Sequence, residues 1–180
     1  MENHHFHHMA SQIRERYIPV SRIMEIVSPK VGDTILDIGA GDGFYSLQFA
    51  KAGSKVIAMD VSKESAETIR KIAKSEHVPI EVMNLDVCRS FDPPPFNKAF
   101  FSTSFHDIEC RVDLVGRITR AALKPTEITL IEFKKIESPG PPMSIRMSKE
   151  DLDRIFFGAG YKLAETIDLE IHYVNRYIHE

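Results

Sequence analysis

The stretch that decides the fold runs from Thr34 to Gly43 and reads TILDIGAGDG. Its first five residues are a mainly apolar run of strand length, and Gly39, Gly41 and Gly43 then alternate with other residues. Phe44 to Ala52 then reads as a helix that Gly53 closes. A glycine turn between strand and helix lets a ligand approach the backbone and directs helix amides toward polar groups. A simple tight turn does not need so many glycines, so the pattern predicts a ligand-binding loop.

Outward from this loop, short apolar runs alternate with amphipathic stretches along most of the chain. This alternation is typical of an α/β fold in which helices flank a parallel sheet. Helices are predicted after a cap at Ser62, after Asp107, and from a capping box at Ser148 to a stop near Gly158–Gly160. The predicted parallel strands are Thr34–Ile38, Lys55–Asp60, Ile80–Leu85, Lys98–Ser102 and Ile128–Phe133.

The two ends of the chain differ from this pattern. Near the C-terminus, Lys162–Ile171 and Tyr173–Ile178 read as strands with no helix between them, so we expect an antiparallel pair. Near the N-terminus, Ile13–Val27 has a helical pattern that must bend or restart at Pro19. We expect one domain over residues 1–180, with a helical lid over residues 1–28 and a core over residues 31–180.

Length and charge exclude several classes of protein. A chain of 180 residues leaves no room for a separate substrate-binding domain. The net charge of −3 and the scattered basic residues, of which Lys134-Lys135 is the longest cluster, disfavour a nucleic-acid partner. No stretch approaches the ~20 apolar residues of a membrane span, and no signal peptide is predicted. Cys88 and Cys110 cannot make a disulfide framework, so we expect two thiols and a cytoplasmic protein. The sequence leaves open whether the protein is a monomer or a homodimer.

Four histidines near the N-terminus, His4, His5, His7 and His8, form a cluster that is interrupted at Phe6. Clustered imidazoles bind divalent metals, but a structural zinc site needs further ligands that a fold places nearby. The interruption also weakens the interpretation as a purification tag. We therefore predict no bound metal, and we interpret the cluster as part of a native arm or lid.

Two carboxylates accompany the glycine loop. Asp60 ends the second predicted strand, where a doubly wound fold presents an acceptor to ribose hydroxyls. An Asp at this position could instead cap the next helix, but Ser62 is available for that role. Asp37 interrupts an apolar strand, and a buried carboxylate is costly unless loop amides or a ligand ammonium group satisfy it. The loop therefore carries both the backbone and the acids of a nucleoside-type site.

The spacing of the glycines separates two cofactor classes. Nicotinamide dinucleotides are bound by Gly-x-Gly-x-x-Gly, whereas this loop is Gly-x-Gly-x-Gly preceded by an acid. In that form it resembles motif I of the class I S-adenosylmethionine-dependent methyltransferases. The resemblance extends over nearly the whole chain, through the motifs at Val56–Ser62, Leu85–Cys88 and Asn97–Ile108 and the turn at Gly160-Tyr161. Gly140–Ser148 and the N-terminal entry resemble the small type 11 branch, which is similar to quinone-biosynthesis methyltransferases.

The resemblance implies a seven-stranded, mostly parallel Rossmann-like sheet in the order 3-2-1-4-5-7-6, with the last strand antiparallel and helices on both faces. It implies that S-adenosylmethionine is the cofactor and S-adenosylhomocysteine the product. Asp37 would order the loop and the methionine end, Asp60 would hold the ribose, and Val61 would pack on adenine. Asp86 and the Val87 amide would read the adenine edge. The implied cofactor site comprises Tyr17, Asp37, Gly39, Ala40, Gly41, Gly43, Asp60, Val61, Asp86, Val87 and Ser102.

The same resemblance predicts methyl transfer to a small-molecule acceptor. Methyl transfer is an in-line displacement, so the enzyme mainly has to position the reactants and exclude water. His106 is the candidate general base, although it could equally cap the following helix. The family often has paired histidines or an aromatic residue at this position, whereas this chain has a single histidine. A cofactor-binding module without catalysis and a nicotinamide-dependent reductase remain as alternatives.

Further candidates lie near the same ends of the strands. Ligands of such sheets bind outside the carboxyl ends of the strands, which makes Glu132 and Ser102–Ser104 crevice candidates. Arg14 and Tyr17 would lie over the bound cofactor if the N-terminal segment folds across the site, as the resemblance implies. Cys88 is interpreted as a packed thiol, since no fixed base accompanies it. Asn97 stands where the family usually has Asp, and we interpret this difference as structural, with little effect on cofactor binding.

Overall fold

The computed structural model describes residues 14–180. A helical turn at residues 14–17 precedes the first long helix. The helices are α1 (Val20–Val27), α2 (Phe44–Lys51), α3 (Lys63–Ser75), α4 (Arg111–Ala121) and α5 (Lys149–Gly158), and a 3-10 turn spans Phe105–Asp107. The strands are β1 (Thr34–Ile38), β2 (Lys55–Asp60), β3 (Ile80–Asn84), β4 (Lys98–Ser102), β5 (Thr126–Phe133), β6 (Lys162–Asp168) and β7 (His172–His179).

The seven strands form one sheet in the order β3-β2-β1-β4-β5-β7-β6. Strands β1 to β5 are mutually parallel, and β7 runs antiparallel to both β5 and β6. The predicted order and the antiparallel terminal pair are therefore confirmed. Because all parallel strands end at the same edge, their C-terminal loops meet there and form the crevice.

Two apolar clusters lie on opposite faces of the sheet, because alternate strand residues point to opposite sides. Leu36 and Ile38 belong to the cluster that packs against α4 and α5. Ile35 belongs to the cluster that includes the buried residues of α1 and α2. The helices thus cover both faces, and the buried, near-continuous apolar runs of β1 and β2 follow from that.

The N-terminal segment restarts at Pro19, as the sequence predicted. Pro19 is the N-cap of α1, and the preceding turn at residues 14–17 is a separate helical piece. Proline has no N–H to lose at a helix start, which is why it is tolerated there. The predicted caps of two further helices are confirmed: Ser62 accepts from the Ser65 amide, and Ser148 forms a capping box with Asp151.

A buried polar network at the other edge of the sheet ties α1 to the strands. The Lys98 Nζ lies 3.0 Å from an Asp33 carboxylate oxygen and donates to the Val27 carbonyl at 2.7 Å. Asn97 donates to Asp33 at 2.9 Å and accepts from the Thr34 amide at 2.8 Å. Burial raises the pKa of Asp33, but bonds from Asn97 and Lys98 more than offset it and hold that pKa below its usual value. Asn97 is thus a structural residue.

Two predictions are corrected by the structure. The sulfur atoms of Cys88 and Cys110 form a disulfide, so the prediction of two thiols is wrong, and cytoplasmic location loses the support it took from them. The helix predicted after Asp107 begins at Arg111, because residues 105–107 form a separate 3-10 turn and Cys110 caps α4. Within residues 14–180, no helix has the length and apolarity needed to cross a membrane. The His4–His8 cluster lies outside the described residues.

Candidate active site

The glycine loop lies between β1 and α2, and three of its residues have positive φ angles. Gly39, Gly41 and Gly43 have φ angles of 71°, 56° and 75°, which L-residues rarely adopt. The Gly39 amide donates to the Met59 carbonyl at 2.8 Å, so the loop is joined to the end of β2. A Cβ at Gly39 would lie 2.5 Å from the Ser104 Cβ, which no real contact permits. The first glycine is therefore required for the approach of the loop after β4.

Asp60, at the end of β2, holds the glycine loop in place. One of its carboxylate oxygens accepts from the Gly41 amide at 2.8 Å, and the other accepts from the Ser62 amide at 2.8 Å. A carboxylate has about four lone-pair positions, so two structural bonds leave capacity for a ligand. Ser62 caps α3, as predicted, while Asp60 both shapes the loop and lines a cavity.

Asp37 is buried beneath the loop, with 2% of its surface exposed. Its carboxyl accepts from the Ser46 hydroxyl at 2.6 Å. Burial and the nearby carboxylates of Asp42 and Asp60 together raise the pKa of Asp37 to about 7, although the bond from Ser46 opposes the shift. A cationic group placed beside Asp37 would favour the ionised form. The observed partner is thus the Ser46 hydroxyl and not a loop amide, and the ligand ammonium group stays a prediction.

The first cavity, of about 530 Å³, opens at the C-terminal ends of β1, β2, β3 and β4. Asp86 lines it, and one of its oxygens accepts from the Cys88 amide at 2.8 Å, which fixes the turn after β3. Val61, 73% exposed, presents an apolar surface at the cavity. The predicted site residues on this cavity are Gly39, Asp60, Val61, Asp86, Val87 and Ser102.

The second cavity, of about 240 Å³, lies on the other side of the glycine loop. Its lining includes Arg14 of the N-terminal turn, whose guanidinium donates to Asp42 at 2.8 Å and lies 4.2 Å from the centre of the Phe44 ring. The predicted site residues on this cavity are Asp37, Gly39, Ala40, Gly41 and Ser102. Gly43, the N-cap of α2, lines neither cavity.

A third cavity, which we call the aromatic pocket, adjoins the second and has a volume of about 420 Å³. Tyr17 lines this pocket and neither of the other two, so the structure places it beside the predicted cofactor site. Thr103 lines all three cavities. Its φ of 52° is rare for a residue other than glycine. The aromatic pocket is lined by Arg14, Tyr17, Ile18, Thr103, Phe133, Pro139, Gly140, Ile171 and His172.

Arg146, which is 3% exposed, holds the loop that contributes Pro139 and Gly140 to the lining of the aromatic pocket. Its guanidinium donates to backbone oxygens of Lys134, Ile136, Ser138 and Pro141 at 2.8–3.0 Å, and to the Ser138 hydroxyl at 2.7 Å. Gly140, in the same loop, lies against Phe133, since a Cβ there would be 2.6 Å from a carbon of that ring. The proline-rich loop is thus held by one buried side chain that the sequence did not single out.

His106 lies in the 3-10 turn after β4 and is paired with Glu132 of β5. Its Nδ1 is 2.7 Å from one Glu132 oxygen, and its backbone amide donates to the other at 3.2 Å. The Glu132 side chain is 0% exposed and the His106 side chain 3%. Burial lowers the pKa of His106, but the bond and charge of Glu132 more than offset it and raise that pKa above its usual value. Its Nε2 lies 3.6 Å from an Asp107 oxygen.

This geometry agrees with the comparisons to known proteins. The family model described as "Methyltransferase domain" matches residues 35–126, which is half of the chain and includes the glycine loop, Asp60 and Asp86. The chain therefore belongs to this family of methyltransferase domains, and its fold is that of the class I S-adenosylmethionine-dependent methyltransferases that the sequence resembles.

Solved structures show the same fold. An S-adenosylmethionine-dependent methyltransferase from Aquifex aeolicus is similar, with a TM-score of 0.83, 22% identity, and coverage of 93% of this chain and 92% of that one. A type 11 methyltransferase from Sulfolobus solfataricus gives a TM-score of 0.73 and 19% identity over 92% of this chain and 94% of that one. The type 11 branch predicted from the sequence is consistent with this second likeness.

Among curated proteins, an rRNA methyltransferase from Streptomyces thermotolerans is 29% identical over 79 residues, which is 43% of this chain. The chain spans about a quarter of the length of that protein, since the match covers 26% of it.

Proposed function

We propose that the protein transfers the methyl group of S-adenosylmethionine to a small-molecule acceptor. The observation that carries this proposal is that three cavities adjoin one another: two lie at the glycine loop and its carboxylates, and the third is the aromatic pocket, which shares Thr103 with both. Pockets of ~300–1,000 Å³ with apolar walls and few polar groups are typical of small-molecule sites.

The described residues fit the cofactor in charge and in shape. Asp60 would hold the ribose hydroxyls with its remaining lone pairs, and Asp86 with the Val87 amide would read the adenine edge. Asp37 would balance the ammonium group of the methionine end from beneath the loop. The cofactor supplies the electrophilic methyl group. The task of the protein is to hold the acceptor in line with that group and to keep water out.

Surface charge favours a small molecule over RNA. Basic side chains around this edge of the sheet are paired with carboxylates: Lys134 and Lys149 with Asp168, and Lys135 with Asp151, each at 2.9 Å. Arg14 is paired with Asp42 at 2.8 Å. A protein that binds a phosphate backbone needs Lys and Arg side chains that are free to contact the phosphates, because these contacts release the counterions of the nucleic acid. Together with the net charge of −3, these ion pairs oppose a polynucleotide acceptor.

His106 stays the candidate base, with Glu132 as the residue that positions it. The ionised Glu132 would keep the imidazole proton on Nδ1, which leaves Nε2 as the nitrogen that receives a proton. A mainly structural pair is the alternative, because both side chains are buried. Substitution of His106 by Gln distinguishes the two roles. Loss of a base lowers kcat by ~10²-fold or more and alters the pH profile, whereas loss of a structural pair lowers the melting temperature.

An rRNA acceptor is a second candidate, because the curated relative is an rRNA methyltransferase. The match covers less than half of this chain and about a quarter of the relative. A cofactor-binding module without catalysis is the third candidate. The three differ in what becomes labelled when the protein is incubated with radiolabelled cofactor and a cell extract.

The first experiment measures the cofactor site alone. S-adenosylhomocysteine should raise the melting temperature, since a ligand at a hundredfold excess over its Kd stabilises the native state by about 2.7 kcal/mol. Asp60→Ala should abolish this shift, whereas Asp113→Ala, a surface acid on α4, should preserve it. If the wild-type protein shows no shift at saturation, the cofactor assignment is wrong.

The second experiment identifies the acceptor class. After incubation with methyl-labelled cofactor and a cell extract, label in the small-molecule fraction supports the proposal. Label that is lost on ribonuclease treatment indicates RNA, and label that is lost on protease treatment indicates a protein. Absence of any labelled product, with a normal melting shift, indicates the non-catalytic module.

A further inference from the structure

The disulfide between Cys88 and Cys110 joins two walls of the first cavity. Cys88 ends the wall formed by residues 85–88, and Cys110 directly follows the wall formed by residues 107–109. Among residues 14–180, no backbone–backbone hydrogen bond joins residues 85–92 to residues 105–111. The hydrogen bond that does join them runs from the Cys110 amide to the Cys88 sulfur at 3.4 Å. The spacing of these two walls therefore depends on the cysteine pair.

The pair also lies next to residues that we assign to the cofactor. The Asp86 carboxylate accepts from the Cys88 amide at 2.8 Å, so the orientation of Asp86 depends on the position of Cys88. Asp86 lines one wall of the cavity, and Ile108 lines the other wall two residues before Cys110. Breaking the disulfide should therefore let Asp86 move relative to Ile108 and lower the affinity for the adenine ring.

The surroundings of Cys110 favour thiol–disulfide exchange. Cys110 is the N-cap of α4, a helix of 11 residues, and a helix N-terminus favours a thiolate. The Arg117 Nη2 donates to the Cys110 sulfur at 3.5 Å. The Arg117 Nε lies 3.0 Å from an Asp113 oxygen, but this carboxylate is 70% exposed, so water screens its charge. A thiolate that leaves from Cys110 is thus stabilised, which favours its release in exchange.

The two sulfur atoms should play different roles in this exchange. Both cysteines are half-buried, so neither is sealed inside the core. Cys88 belongs to the lining of the first cavity, whereas Cys110 does not. We therefore expect an external thiolate to attack Cys88 and to release Cys110 as the thiolate.

We propose that Cys88 and Cys110 form a reversible redox site that exchanges with small dithiols and disulfides, and that the oxidised form binds the cofactor more tightly. This inference rests on the proposed function, because it names a regulation of the same cofactor site. One thiolate of the dithiol attacks the Cys88 sulfur and forms a mixed disulfide, while the electron pair of the broken bond leaves with Cys110. The second thiol of the reagent then displaces Cys88 and closes its own disulfide. Two electrons and two protons thus pass from the dithiol to the two cysteines.

Thermodynamic linkage makes this coupling measurable from both sides. If reduction weakens binding of S-adenosylhomocysteine by a given factor, the ligand must shift the redox equilibrium toward the disulfide by the same factor. Couplings between sites are typically about 5- to 150-fold, and we expect about tenfold here. A disulfide that only stabilises the fold would give no such factor in the native protein.

The test equilibrates the full chain without oxygen in mixtures of reduced and oxidised dithiothreitol, with and without saturating S-adenosylhomocysteine. The fraction of free thiols is measured by mass spectrometry after alkylation. The ligand should raise the ratio of reduced to oxidised dithiothreitol at the midpoint by about tenfold. The calorimetric Kd values of S-adenosylhomocysteine for the oxidised and the reduced protein should differ by the same factor.

Variants assign these effects to the pair and to its neighbour. The double variant Cys88→Ala and Cys110→Ala should bind with the affinity of the reduced protein and should not respond to dithiothreitol. Arg117→Met should slow reduction by about threefold, because the leaving thiolate loses a hydrogen-bond donor. Arg120→Met, at an exposed position of the same helix, should leave the rate unchanged.

Circular dichroism of the reduced protein separates a local effect from unfolding. A midpoint that the ligand does not move, a disulfide that resists dithiothreitol until the chain is denatured, or a loss of secondary structure on reduction would each overturn the inference. Binding with equal Kd in both redox states refutes the redox site and leaves the proposed function intact. Absence of binding in either state refutes the proposed function and the redox site together.

Discussion

Asp37 is a buried carboxyl group whose charge depends on what lies above it. Because burial raises its pKa to about 7, it is about half protonated near neutral pH in the free protein. A ligand ammonium group would favour the ionised form, so binding should release a proton, and affinity for S-adenosylhomocysteine should rise from pH 6 to pH 8. Calorimetry in buffers with different ionisation enthalpies measures that proton.

Asp37→Asn is the matched control, since it keeps the shape and the contact to Ser46 but has no proton to release. The variant should bind with an affinity that is lower and nearly independent of pH in this range. An affinity that falls as the pH rises would show that Asp37 does not face the cationic end of the ligand.

Glu132 is a second buried acid, and its effect on stability should depend on pH through His106. The pKa of His106 is raised in the folded protein, so the pair contributes most stability below the unfolded value of about 6.5. That contribution is lost as the pH rises through the folded pKa. Glu132→Ala should lower the free energy of unfolding by about 3 kcal/mol at pH 6.

Urea denaturation of wild type and Glu132→Ala from pH 6 to pH 9 tests this prediction. The difference in stability should shrink with rising pH. Glu132→Gln, which keeps an acceptor for the His106 Nδ1–H, should cost less at every pH. A difference that does not shrink with rising pH would mean that Glu132 does not stabilise the protonated form of His106.

At the scale of elements, the buried network of Lys98 joins α1 to β1 and β4. Lys98→Met should destabilise the protein by about 3 kcal/mol, because it leaves the Asp33 carboxylate buried without its cation. Lys55→Met, at the same edge of the sheet but on an exposed residue, should change the free energy of unfolding by less than about 0.5 kcal/mol. Chemical denaturation of both variants makes the comparison, and equal effects would contradict the assignment.

The disulfide joins the loop after β3 to the start of α4. Cys88 lies two residues beyond Asp86 on the rim of the first cavity, and the bond closes a sequence separation of 22 residues. Reduction should therefore lower the free energy of unfolding by about 3 kcal/mol and weaken binding of S-adenosylhomocysteine.

Thiol titration in denaturant should find no free thiol before reduction and two after it. The double variant Cys88→Ser and Cys110→Ser should be insensitive to dithiothreitol. Two reactive thiols in protein that was never reduced would show that the bond does not form under those conditions.

At the scale of the whole molecule, the net charge and the ion pairs predict weak binding to RNA. We expect a Kd for total rRNA on the order of 10⁻⁴ M or weaker at ~0.15 M salt in filter binding. Asp168→Asn should release Lys134 and Lys149 from their pairs and give stronger, salt-dependent retention. Tight wild-type binding with a steep salt dependence would instead favour the RNA acceptor.

The fold was predictable because its signals are local. The bounds of β1, β2 and β4 follow from buried apolar runs. The spacing of the loop glycines and of Asp60 predicts the cofactor site. The strand order came from the family resemblance, since no local pattern specifies which strands are neighbours.

Contacts between distant segments were harder to predict. Glu132 lies near the end of β5 and His106 follows the neighbouring strand β4, so the known order could have suggested their pairing. Arg146 and His172 gave no such signal, because their surroundings depend on the path of a loop and on an antiparallel register. The disulfide was missed because a count of two cysteines does not reveal that their Cα atoms come within 5.6 Å.

The hydrogen bonds of Arg146 should affect the free energy and the rate of ligand binding next to the loop from Lys134 to Arg146. Since one buried guanidinium already fixes the loop from Lys134 to Arg146, the conformational entropy of that loop is lost when the chain folds. Ligand binding next to this loop then loses little further conformational entropy, so association should be fast and its time course should follow a single exponential. Discrimination between acceptors would accordingly lie in their dissociation rates.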